Sequence, residues 1–316
     1  MPSHIHPLLY EFPGGGVLSY RYAASISASK NNRKNFLQML QGLKRAGFRN
    51  VHIMTHSMGA RTLMSAFEDI IQEDGSRYPS PVSNCFSAAL ASHDSQAHTR
   101  NSMADVGKLI CRSITILNPD FPLMAFREHG FNSLRRVCSL ITVLGDKADI
   151  ALMTAMVWNG TCNALNIPIP TVYQSKATKE QSGFHFELSL GREIESLYVE
   201  NCDKNDNDAL KFQPSARAYP SDNSLSSCAN HTAINEVNGD SSVQYLDCDC
   251  IDLGGFDANV NQLRHCSNIN TVLIRDLEEI IMSQQRASQR SALLHRKGNV
   301  YQYCHAPHFM APKKSK

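Results

Sequence analysis

The sequence predicts an α/β protein built on a mostly parallel sheet, and three observations carry that prediction. Short apolar or β-branched runs alternate with segments of helical apolar spacing, an order that sets parallel strands side by side through crossovers. The run at residues 138–144 is almost unbroken in apolar character, as a strand buried on both faces of such a sheet must be. At residues 51–61 the pattern changes period at one serine. Before Ser57 it suits a short buried strand; after it Leu63, Phe67, Ile70 and Ile71 recur at helical spacing.

Composition sets the outer limits. A chain of 316 residues, 42% hydrophobic and 19% charged, has the material for one large globular domain over residues 1–316. A net charge of +2 gives no global attraction to nucleic acid. The ten cysteines form no C-x-x-C pair and no dense framework, so they read as reduced thiols of an intracellular, cytoplasmic protein. The N-terminus lacks the basic flank and apolar core of a signal peptide. The uncharged run 150–175 holds Asn159, Gly160, Asn163, Asn166, Pro168 and Pro170, which excludes a membrane span and fits a short helix followed by an extended loop.

Taken in order, residues 8–12 predict a strand ended by Pro13-Gly14-Gly15-Gly16, a strand-to-helix turn. A helix over 31–46 carries Phe36, Leu40 and Leu43 on one face. The strand, serine and helix at 51–71 follow. A loop excursion at 73–112 opens with Asp74-Gly75-Ser76, and then a strand at 113–117 runs into Asn118-Pro119-Asp120. Helix at 123–136 precedes the strand at 138–144, which delivers Gly145-Asp146-Lys147-Ala148-Asp149. Residues 174–242 are rich in Gln, Ser, Lys, Asn and Asp and predict a partly disordered insertion, with a short strand near 195–199. The last core strand is expected at 245–253, a loop at 256–265 ends in His265, the last helix covers 269–284, and a basic tail begins near 285. Arg286, Arg290, Arg296 and Lys297 make that tail weakly suited to an acidic partner or membrane surface.

A serine on a sharp strand-to-helix turn stands proud of the backbone, and the N–H of the next residue, Met58, points to where an oxyanion would form. The plain alternative is a helix N-cap serine after a buried strand. Thr55 stands where the usual G-x-S-x-G pattern has its first glycine, and Gly59 lets the helix pack close behind the turn. These letters, Thr55-His56-Ser57-Met58-Gly59, resemble the alpha/beta hydrolase superfamily, and most of all an esterase-like and lipase-like branch of bacteria and fungi (domain of unknown function 900).

The resemblance implies a three-layer alpha/beta-hydrolase fold, an acid after a later strand and a histidine near the C-terminal end. Asp149-Ile150-Ala151-Leu152 resembles that branch's D-x-A-L signature at the acid position. Asp146, directly after the strand, is the rival, Asp120 a third candidate, and helix N-capping the plain reading of either loop carboxylate. His265 lies where the superfamily keeps its general base, and Ser57, Asp149 and His265 fall in the superfamily's chain order. His56, a neighbour on the turn, is expected to pack there and not to serve as base. Relatives carry an earlier H-G loop that donates a second oxyanion N–H, and residues 1–12 have length for one strand only; this implies a domain shortened at its N-terminus.

The expected function is a serine hydrolase acting on a small-molecule or lipid-like ester, less readily a thioester or amide, with Ser57 as nucleophile, His265 as base, Asp149 as its orienting acid and Met58 N–H as oxyanion donor. No cofactor is implied. The spacings of Cys248, Cys250, His265, Cys266, Cys304, His305 and His308 match no tetrahedral metal pattern. The competing reading is a hydrolase-like protein without catalysis, or a fragment lacking a complete oxyanion hole.

Overall fold

A computed structural model describes residues 5–11, 20–71, 76–89, 107–164, 188–197, 246–254, 265 and 271–304. Helices α1 (Tyr20–Ser27) and α2 (Lys30–Arg45) precede strand β1 (Asn50–His56), which turns into α3 (Gly59–Phe67). Two short strands, β2 (Ile70–Ile71) and β3 (Arg77–Tyr78), pair antiparallel before β4 (Ile110–Leu117). Then come α4 (Leu123–Ala125), a π turn (Phe126–Gly130) and α5 (Phe131–Arg135), leading to β5 (Ile141–Gly145) and α6 (Ile150–Ala164). After a 3-10 turn (Ile194–Leu197), β6 (Asp249–Asp252), α7 (Thr271–Ser283), β7 (Leu293–Lys297) and β8 (Val300–Tyr303) complete the described chain.

The six-stranded sheet runs β1-β4-β5-β6-β8-β7, parallel throughout except for β7. Neighbouring residues on one strand feed different cores. Val143 and Cys250 pack with Phe36, Leu40, Leu63 and Phe67 from α2 and α3, while Leu144 and Ile251 pack with Leu273 of α7. Helices therefore cover both faces, which is why residues 141–145 are buried without a break. Among the described residues no helix is long and apolar enough to cross a membrane.

Local signals place the helices. Ser29 caps α2 by accepting the Asn32 N–H at 3.2 Å, a contact worth about 1 kcal/mol, and Lys44 and Arg45 occupy its last turn, where the helix dipole favours cations. The expected helix at 123–136 is present but passes through the π turn, where Gly130 faces Met64 of α3.

Five expectations need correcting. The helix after Ser57 ends at Phe67, and Ile70 and Ile71, expected at its helical spacing, form the exposed strand β2 instead. Residues 8–11 are irregular and not a strand: Tyr10 packs edge-on against Phe36, and its hydroxyl donates to Asn32 of α2. The excursion at 73–112 contains the β3 half of a small ribbon, a 3-10 turn (Ser83–Cys85) and the first residues of β4. Around 195–199, the described residues form the 3-10 turn, because Leu190, Ile194 and Leu197 point into the core where no strand edge is on offer. Residues 286–304 are no tail. They form the β7–β8 hairpin, and β8 adds to the sheet beside β6, so 245–253 does not hold the last core strand. Their basic residues pair internally, Arg286 with Asp247 and Asp249, Arg290 with Asp276, and Arg296 and Lys297 with Glu195. Gly14, Gly15 and Gly16, and the insertion beyond residue 197, lie outside the described residues.

Candidate active site

The C-terminal ends of β1, β4 and β5 converge on one crevice edge, where open α/β sheets place their functional groups. Ser57 follows β1 directly with φ of 52°, in the left-handed region that a non-glycine residue enters at a cost of about 1–3 kcal/mol. Main-chain hydrogen bonds hold it there. The Ser57 N–H donates to Leu117 O at 2.9 Å, and the Ser57 carbonyl accepts from Ala60 N–H and Asp120 N–H, each at 3.1 Å. Gly59 is less constrained than its motif role implies: a Cβ there would meet Thr55 Cβ at 3.5 Å, an ordinary contact. Thr55 thus fills the space beside a neighbour that has no side chain.

The structure brings Ser57, His265 and Asp149 into one line. Ser57 Oγ lies 2.7 Å from His265 Nε2, and His265 Nδ1 lies 2.7 Å from Asp149 Oδ2. A carboxylate accepts only, so Nδ1 carries the proton and donates it, leaving the Nε2 lone pair to receive the serine O–H. Asp149 is fully buried and the imidazole partly so, with 16% of its side chain exposed. Asp149 also does what the plain reading expected, since its Oδ1 caps α6 by accepting Leu152 N–H at 2.8 Å. The two roles coexist because a carboxylate has two oxygens.

The rival carboxylates are engaged elsewhere. Asp146 accepts the Ala148 N–H at 2.8 Å in its own loop, and its backbone N–H donates to Gly191 O. Asp120 forms a buried two-point ion pair with Arg61 of α3, through Nε at 3.2 Å and Nη2 at 3.1 Å, and accepts the Tyr20 hydroxyl at 2.8 Å. This pair sits behind the serine turn, tying α1, α3 and the turn after β4 together.

Sequence reasoning missed Asn118, whose Nδ2–H donates to Asp149 Oδ2 at 3.0 Å. Its position at the C-terminal end of β4 was the available signal. Also missed was the segment 188–191, Leu-Ser-Leu-Gly, which lies inside the stretch 174–242 whose overall composition is polar. It crosses the strand ends: Gly191 N–H donates to Pro119 O, Ser189 Oγ–H to the same oxygen, and Gly191 O receives Asp146 N–H. The fit is close enough that a Cβ on Gly145 would lie 2.2 Å from Gly191 O, and one on Gly191 would lie 2.6 Å from Leu152 Cδ1.

His56 packs against His265 at 4.9 Å between ring centroids and donates from Nε2 to the His265 carbonyl at 3.0 Å. Although the residue is exposed at the surface, desolvation of its ring pushes its pKa below the ordinary histidine value, opposed by that hydrogen bond. It is thus a neutral prop for the histidine main chain near neutral pH. Met58 N–H stands at the N-terminus of α3, and among the described residues it donates to no acceptor. A cavity of about 410 Å³ elsewhere borders Met64, Phe121, Ala125 and Arg136 and is lined by none of Ser57, Asp149 or His265.

A model of the family described as "Alpha/beta hydrolase of unknown function (DUF900)" matches residues 3–201. No curated protein and no solved structure matches significantly. The match spans more than half of the chain and includes the serine turn and the Asp149 loop, and it agrees with a mostly parallel sheet covered by helices on both faces. The chain belongs to this alpha/beta hydrolase family.

Proposed function

We propose that the protein is a serine hydrolase acting on a carboxylic ester. The observation that supports it most is the unbroken line of hydrogen bonds from Ser57 Oγ through His265 to the buried Asp149 carboxylate. A hydroxyl is a weak nucleophile until a base takes its proton, and an imidazole is a useful base when its other nitrogen is fixed as N–H. Both conditions meet at His265.

In this reading Ser57 Oγ bonds to the ester carbonyl carbon as its proton passes to His265 Nε2. The carbonyl π electrons move to oxygen, and Met58 N–H donates to that oxyanion. Collapse breaks the ester C–O bond, and the imidazolium returns its proton to the departing alkoxide, leaving an acyl group on Ser57. Water, deprotonated by His265 in turn, releases the acid and restores the hydroxyl. Asp149 stays ionised and stabilises the imidazolium at the two moments it exists. The left-handed backbone at Ser57 supports the assignment, because strain of this kind persists where the surroundings over-determine a geometry. A thioester or amide fits the same steps, the amide less readily because its leaving group is poorer.

The test is covalent labelling by a fluorophosphonate probe together with hydrolysis of short p-nitrophenyl esters. Labelling at Ser57 and loss of about 10³-fold or more in turnover on Ser57→Ala are expected. Turnover at the wild-type level in Ser57→Ala would remove the assignment.

A further inference from the structure

We infer that Asn118 is a positioning residue for the acid of this site, and that the turn it opens, residues 117–120, ties the serine and the acid into one unit. The inference rests on the serine hydrolase reading for its kinetic consequences and on geometry alone for its spectroscopic one. The turn touches both sides. Leu117 O accepts the Ser57 N–H, Asp120 N–H donates to the Ser57 carbonyl, and between them Asn118 Nδ2–H donates to Asp149 Oδ2 at 3.0 Å. Asn118 N–H is itself fixed on Leu144 O of β5 at 2.8 Å, and Pro119 O is covered by Ser189 and Gly191.

The residue type suits the position on two counts. Asn118 has φ of 41°, a left-handed backbone that asparagine tolerates better than most side chains. Its side chain, buried without solvent access, supplies a neutral N–H donor to a carboxylate that must stay charged. The terminal torsion of an aspartate is broad. Leu152 N–H holds Oδ1, and Asn118 holds the other oxygen, the one that faces His265. This second donor also draws electron density from Oδ2, so that the shared proton stays on His265 Nδ1. Without it the carboxylate is more basic and grips an imidazolium more tightly. The imidazole would then give up its proton less readily, and Ser57 would lose its base at a pH where the wild type still works. Among the described residues the titratable groups in contact with His265 are Asp149 and His56, while Asp146 accepts the Ala148 N–H within its own loop.

The experiment uses the full chain with Asn118→Ala, and with the near-isosteric Asn118→Asp in case the smaller side chain unfolds the buried site. For ester hydrolysis, kcat should fall about 10- to 100-fold, as expected for one hydrogen bond to a charged group, with KM changed less than about twofold. The acid limb of the pH–rate profile should move to higher pH, which a general loosening of the fold would not produce. Independently, the downfield proton NMR signal of the His265 Nδ1–H, identified by its loss in His265→Gln, should shift and have its pH midpoint raised in both variants. A wild type inert to fluorophosphonate and esters would sink the serine hydrolase reading while the NMR measurement still decides the role of Asn118. An unmoved resonance and pH midpoint would overturn the inference, as would kcat within about twofold of wild type.

Discussion

The turn at Ser57 and the charge cluster behind β6 hold their residues by opposite means. Ser57 sits in a strained backbone fixed by neutral main-chain hydrogen bonds, most of whose partners lie within a few residues or on the adjacent β4. Behind β6, Asp249 accepts from Arg286 and from Ala287 N–H, while Asp276 of α7 accepts from Arg290 at 3.0 Å and from the Tyr303 hydroxyl of β8 at 2.8 Å. Asp276 and Arg290 are both fully buried. The serine turn carries strain and is backed by one buried ion pair, Arg61–Asp120, whereas the region behind β6 gathers several charges from distant segments. The difference matters for the site because His265 lies between β6 and α7, the two elements this cluster fastens.

The largest effect that would sharpen this contrast comes from the carboxylate joining the two regions. Asp149→Asn should lower kcat/KM by about 10³–10⁴, because an amide can favour the wrong imidazole tautomer. Asp146→Asn, which alters the contact with Ala148 in its own loop, should cost less than about tenfold. Comparable losses in the two variants would mean that the line through His265 is not what the reaction uses.

The same contrast explains what was legible in the sequence. Residues 51–61 announce themselves because everything that makes the turn is local: a β-branched run, a serine, small neighbours and a change of period. Asp149 and His265 could be placed by chain order and by their loops after strands. The β7–β8 hairpin was read as a tail because its arginines and lysine look solvated until their partners are known, and those partners come from three separate stretches: Glu195, Asp249 and Asp252 of β6, and Asp276 of α7. In β6 the acidic residue Asp249 is buried and paired with Arg286. Pairwise charge cancellation across a hundred residues leaves no local pattern. Asn118 was hidden for a related reason, since its role depends on where β5 delivers Asp149.

A smaller effect, on stability, tests the charged region alone. Arg290→Met should destabilise the fold by about 3–5 kcal/mol at neutral pH, since it strands a buried carboxylate. Burial already raises the Asp276 pKa, with Arg290 and the Tyr303 hydroxyl pulling the other way. A carboxyl whose folded-state pKa is raised contributes stability below its unfolded pKa and loses it as pH rises through the folded value. In Arg290→Met that rise is larger, so the penalty relative to wild type should be smaller near pH 5 than near pH 8, as measured by urea unfolding. A penalty that does not vary with pH would show that Asp276 finds another cation.

The smallest effect belongs to the serine turn and concerns Thr55, the residue that departs from the usual elbow pattern. Its Oγ1 is buried and has no hydrogen-bond partner among the described residues, an arrangement that costs about 1–3 kcal/mol for a group stripped of water. Its methyl and Cβ, by contrast, fill the space opposite Gly59 and suit a strand. The hydroxyl is therefore the unfavourable part of the side chain and the branched shape the favourable part. Thr55→Val keeps the shape and removes the hydroxyl, and should stabilise the fold by about 1 kcal/mol, a rise of about 2 °C in Tm for a chain of this size. Thr55→Gly restores the common motif but adds freedom to the unfolded chain and empties the space beside Gly59, so it should cost about 1 kcal/mol or more. If valine lowers the Tm and glycine raises it, the threonine is held for its hydroxyl, and an ordered water bonded to Oγ1 becomes the explanation to pursue.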